Sequence, residues 1–139
     1  MKKFLTFLIV VAVVIFGLYS CGKRKISNTF INTVKDGYFE ELSYDVTVGE
    51  ILDAVCTDSK WEHDLTSEEG NGQMVAYTGK LNGNPIRLVF LIYNLGGMSF
   101  RLNSIGFNGE SYAYGTNPQE VELFMYLLYK EYRAKTGKK

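Results

Sequence analysis

The sequence predicts an α+β fold: a two-layer sandwich in which an antiparallel meander of three to five strands follows a short N-terminal helix and precedes a long C-terminal helix. Three observations predict it. The pairs Asn82-Gly83 and Asn108-Gly109 each divide runs of β-forming residues, the strongest short-range sign of a tight hairpin. Thr47 and Glu50 form a Thr-x-x-Glu box that opens a helical pattern ahead of those strands. Asn117-Pro118 opens a longer helical pattern behind them.

Thr47 is placed to cap the first helix and Glu50 to reach back to it, with Val46 and Ile51 as a hydrophobic staple. Val48, Ile51, Leu52 and Val55 then share one face, so a helix is expected from Val48 to about Thr57. Tyr38 to Tyr44, before it, reads as turn-like or weakly extended. Trp61, His63 and Leu65 alternate with Glu62 and Asp64 as in a strand with one buried face. Glu69 to Gly72 reads as a turn. Met74 to Leu81 and Ile86 to Asn94 follow as a hairpin. In the second of these, Ile86, Leu88, Phe90 and Ile92 face one way and Val89, Leu91 and Tyr93 the other. That pattern predicts a central strand covered on both sides. Gly96-Gly97 leads into Met98 to Phe107, and Ser111 to Tyr114 adds a short edge strand. The last helix has Asn117 as its cap and Val121, Phe124, Met125, Leu128 and Tyr132 as its apolar face. Glu120 near its start and Arg133 and Lys135 near its end suit the helix dipole.

Ahead of all this, Lys2 and Lys3 precede an apolar run from Phe4 to Tyr19, then Ser20, Cys21 and Gly22, then Lys23, Arg24 and Lys25. A basic head, an apolar middle and small residues before a cut describe an export signal. Leu18-Tyr19-Ser20-Cys21 resembles the lipobox of bacterial lipoproteins, with a bulkier residue than usual at Tyr19. The resemblance implies that Cys21 receives a diacylglyceryl group and becomes the new N-terminus. An uncleaved membrane helix is the second reading, the run being at the short end of what crosses a bilayer, and simple secretion the third. The expected organisation is a signal peptide or membrane helix over 1–20, a lipidated Cys21 and tether over 21–33, and one globular domain over 34–139.

Composition narrows the functional classes. About 118 residues beyond the leader suffice for one domain with a real core. A formal net charge of zero gives no footprint for nucleic acid. Charge is unevenly distributed, eleven acidic against two basic residues over 35–69 and four against eight from Gly70 onward. This fits either one acidic surface with a basic end or charges that mix in three dimensions. With Cys21 lipidated, Cys56 has no disulfide partner and reads as a small buried apolar residue.

No cofactor or metal is expected. His63 is the only histidine, and Glu62 and Asp64 beside it point to the opposite face of a strand, so the three do not converge. Asp58, Glu62, Asp64, Glu68 and Glu69 do not have the spacing of a calcium loop and read as a solvated acidic edge. No nucleophile elbow, phosphate loop or dinucleotide fingerprint occurs. Tyr112, Tyr114, Tyr126, Tyr129 and Tyr132 crowd the last third, and Tyr112 and Tyr114 are the candidate binding surface.

Several short motifs resemble one small bacterial domain without assigned activity, typically tethered behind a lipoprotein leader, a membrane helix or a zinc ribbon. They are Val34-Lys35-Asp36-Gly37, Thr47-Val48-Gly49-Glu50 with Asp53, Lys60-Trp61-Glu62, Tyr77-Thr78-Gly79 and Phe107-Asn108-Gly109. The stretch Glu110 to Asn117 departs from that pattern in being longer and Tyr-rich. The resemblance implies an α+β extracytoplasmic domain. The expected function is therefore a non-enzymatic binding or accessory lipoprotein on the outer side of a cell or outer membrane, with an envelope protein as possible partner. Two alternatives are a small envelope hydrolase using carboxylates such as Asp58 or Asp64, and a surface inhibitor, immunity or exclusion lipoprotein.

Overall fold

The computed structural model describes residues 28–39, 42–64, 73–94 and 98–138. Helix α1 covers residues 28–35 and α2 covers Val48–Val55. Five strands follow, β1 Cys56–Asp64, β2 Gln73–Leu81, β3 Asn84–Asn94, β4 Met98–Phe107 and β5 Glu110–Ala113. Helix α3, Pro118–Thr136, ends the fold. The strands form one antiparallel sheet in the order β1-β2-β3-β4-β5, so the expected α+β meander is present. Cys21, the turns at Glu69 to Gly72 and at Gly96-Gly97, and the carboxylates of Glu68 and Glu69 lie outside the described residues.

Local chemistry accounts for most boundaries. Asn82 and Gly83 both take positive φ, as do Asn108 and Gly109, and each pair closes a two-residue hairpin. At α2 the Glu50 amide donates to Thr47 Oγ1 at 3.2 Å and the Thr47 amide donates to Glu50 Oε2 at 2.8 Å. These bonds hold the Glu50 carboxyl below its ordinary range. A carboxyl whose folded pKa is depressed stabilises the fold at neutral pH and loses that contribution as pH falls through the carboxylate range. Thr47→Ala is expected to cost about 1 kcal/mol and to flatten the acid limb of stability against pH, both measurable by urea unfolding at several pH values.

Three expectations are corrected. Helix α2 stops at Val55 rather than Thr57, because Cys56 is already extended (φ −114°, ψ 156°) and enters β1 without a loop. Asn117 does not cap α3 with its side chain. Its Oδ1 accepts instead from the Thr116 hydroxyl at 2.8 Å, a local bond that competes with capping. Strand β3 is central, but the described helices cover only one of its faces. Phe30 of α1 packs on the His63 ring, α2 contacts β1, and Phe124 of α3 packs on Phe107, all on the face that carries Phe90. On the other face Val89, Leu91 and Tyr93 are half-buried. Cross-strand neighbours shelter them: Ala76 and Ser104 flank Val89, and Met74 and Arg101 flank Leu91.

The core lies between the helices and this inner face. Phe90 is fully buried and ring-stacked between Trp61 and Phe39, with Phe100 edge-on. Val34 of α1 is also fully buried, and Phe30 and Ile31 pack against the core. Residues 28–33, expected to be tether, therefore contribute to the domain. Packing of α2 on α3 brings Lys138 within electrostatic reach of Glu50, so here the acidic and basic halves of the sequence meet.

Candidate functional site

The strand lengths leave a recess beside β4. Strand β4 has ten residues and β5 only four, and β5 pairs with Ser104 to Phe107 alone. One further backbone bond, from the Tyr114 amide to the Asn103 carbonyl at 2.8 Å, closes that ladder before the chain turns away to α3. The first half of β4, Met98 to Leu102, is thus paired with β3 on one side and has no strand on the other among the described residues.

An open cleft of about 580 Å³ runs along this free half. Its floor is Met98 to Leu102, and its walls are Tyr38, Phe39 and Tyr44 on one side and Tyr93, Tyr114 and Met125 on the others. Met98 is 50 % exposed, Tyr44 68 % and Tyr38 41 %, an unusual concentration of large apolar side chains in contact with solvent. The loop wall is held by three features. The Val48 amide donates to the Gly37 carbonyl at 2.8 Å, Tyr38 bridges to Thr47, and amides of Leu42 and Ser43 donate to the Phe39 carbonyl. Arg101 lies with its guanidinium carbon 5.4 Å from the centre of the Tyr114 ring, a cation–π contact that orients the far wall. Arg101 and Glu122 are the cleft's charged residues, so it has no net sign.

Tyr114 therefore lines the cleft, but Tyr112 does not join it. Tyr112 is half-buried in a second groove of about 670 Å³, along α3 with Phe107, Phe124, Leu123 and Leu127. Its hydroxyl donates to the Glu110 carboxylate, which holds the phenol above its ordinary range. The other tyrosines of the last third are dispersed too. Tyr132 is buried, Tyr129 stacks on it and under Arg133, and Tyr126 is exposed. Adjacent positions in sequence thus end on opposite sides of α3. Reasoning from sequence missed Tyr38, Tyr44, Met98 and Phe100; the usable signal was the mismatch between a ten-residue strand and a four-residue neighbour.

Several other chemistry-bearing residues have structural partners. His63 pairs through Nε2 with Gln73 Oε1 at 2.9 Å, and its ring packs on Phe30. Asp58, in the left-handed region (φ 54°), forms an ion pair with Lys80 at 2.9 Å; the side chain of Asp64 lies outside the described residues. Burial pushes the Cys56 thiol up, away from the thiolate a nucleophile needs. The Tyr77 hydroxyl shares a hydrogen bond with Ser59 Oγ at 2.7 Å, and burial pushes that phenol up as well. Among the described residues no three of His, Cys, Asp and Glu converge as metal ligands would. The cleft presents aromatic rings, thioethers and strand backbone, together with Arg101 and Glu122. Comparison with protein-family models, with curated proteins and with solved structures gives no match.

Proposed function

We propose that this chain is a lipid-anchored envelope protein whose domain binds a partner at the cleft beside Tyr114 and catalyses nothing. The lipobox-like Leu18-Tyr19-Ser20-Cys21 behind a basic head and apolar run carries the reading. Two acyl chains on Cys21 hold a protein at a membrane far more firmly than one. Only residues 22–27 separate Cys21 from the first described residue of α1, a span of at most about 25 Å when extended. The domain then works close to the bilayer, and Lys23, Arg24 and Lys25 sit where anionic headgroups attract them. The binding half of the proposal is supported by the solvent-facing aromatic residues of the cleft and by its uncharged balance. Among the described residues no helix is long and apolar enough to cross a membrane; Phe4 to Tyr19 lie outside that set.

The intact mass of the protein extracted from membranes tests the anchor. The expected mass is that of Cys21 to Lys139 plus a diacylglyceryl group, and Cys21→Ser is expected to lose the lipid. A mass of unprocessed Met1 to Lys139 from the natural sequence would overturn the anchor in favour of a membrane helix.

A further inference from the structure

The cleft has a backbone as well as side chains, and the backbone specifies its occupant. Every strand carries amides and carbonyls on both of its edges, and on the free side of Met98 to Leu102 those groups have no strand to pair with among the described residues. The opposite margin of the sheet is protected. Strand β1 has an irregularity between Thr57 and Lys60, a left-handed Asp58, and the paired charges Lys60 and Glu62. Bulges and charges of this kind are the usual means of keeping an edge from pairing with another chain. Among the described residues Met98 to Leu102 itself carries only Arg101, whose guanidinium is turned onto Tyr114, and the irregularity in β4 falls at Asn103, at the end of that half.

Resting on the binding role proposed above, we infer that the cleft takes an extended segment of another protein, which adds to the sheet as a strand beside Met98 to Leu102. The segment lies in line with β5, in the space left where the chain turns away at Tyr114. It spans about five residues, roughly 17 Å at strand rise. Alternate side chains point to the two sides of the sheet, so one set meets Phe100, Tyr38 and Met125 while the other passes Tyr93 and Arg101. The first set is apolar. The cleft's own charges balance, which selects an uncharged segment rather than an acidic or basic one.

The test uses the full chain from membranes, held in detergent, with fluorescent hexapeptides of the form Thr-x-Thr-x-Thr-x, where x is Val, Ile, Leu, Phe or Tyr. Each has a counterpart methylated at alternate backbone nitrogens, in both frames. Methylation leaves the side chains and removes the donors that pair with a strand. We expect at least one parent peptide to bind, one methylation frame to weaken it about tenfold or more, and Tyr114→Ala to weaken the parent. Bound peptide slows amide exchange over Met98 to Leu102 and leaves β1 unchanged. Equal binding by parent and both methylated forms, still lost in Tyr114→Ala, overturns strand addition and leaves the cleft as a binding surface. Binding that neither methylation nor Tyr114→Ala alters moves the ligand off the cleft and removes the proposed surface as well. Failure of every peptide overturns the extended-segment occupant, and protection of Met98 to Leu102 that grows with protein concentration alone assigns the edge to a second copy.

Discussion

Phe90→Ala is expected to cost about 3–5 kcal/mol, a large share of the stability of a domain this size. The ring is fully buried on the central strand, with Trp61 at 6.0 Å, Phe100 at 6.0 Å and Phe39 at 6.3 Å between ring centres. Those partners come from β1, β4 and the segment after α1, so no single element can relax to fill the space. At roughly 4 °C per kcal/mol, the melting temperature falls by about 12–20 °C. Trp61 is the only tryptophan, so its fluorescence follows unfolding directly. Phe100→Ala serves as the comparison. Phe100 is only half-buried at the cleft floor, and its truncation is expected to cost clearly less. Equal losses from the two would mean that the core is centred on the cleft margin and not on β3.

The parts of the fold legible in the sequence are those decided within a few residues. The box at Thr47 and Glu50 needs one turn of helix, and the Asn-Gly turns need two residues with positive φ. Helix α1 was not legible because Asn28, Thr29, Asn32 and Thr33 are poor helix formers, and burial of Phe30, Ile31 and Val34 offsets that weakness. The single-sided cover of β3 was not legible either. An apolar residue sheltered by its cross-strand neighbours and one covered by a helix look alike along the chain. The candidate site divides in the same way. Tyr114 was readable as a polar-tipped aromatic near a turn, whereas its separation from Tyr112 depends on where α3 lies. The cleft itself joins α1's following loop to a strand some sixty residues later, a distance no local pattern reports.

Gly37 sits at that junction, and Gly37→Ala is expected to destabilise the protein by about 2–3 kcal/mol although it adds only a methyl group. Its φ is not in the left-handed region, so backbone freedom is not the reason. A Cβ there would overlap the Phe100 ring and lie 2.7 Å from the Thr33 carbonyl oxygen. The ring can turn, but the carbonyl belongs to the last turn of α1 and cannot move alone. Relief therefore requires α1 and the 37–39 segment to separate, which strains the bond from the Val48 amide to the Gly37 carbonyl and the Tyr38 bridge to Thr47. The same displacement opens the loop wall of the cleft, so Gly37→Ala should weaken binding there together with stability. Gly83→Ala separates close approach from backbone strain, since Gly83 has positive φ (82°) and nothing near its missing Cβ. That variant is expected to cost about 1 kcal/mol and to leave the cleft unchanged. Urea unfolding of the three proteins, followed by Trp61 fluorescence, checks the order. A Gly37→Ala cost no greater than that of Gly83→Ala would show that α1 is not tightly seated on β4, and the cleft would lose its fixed wall.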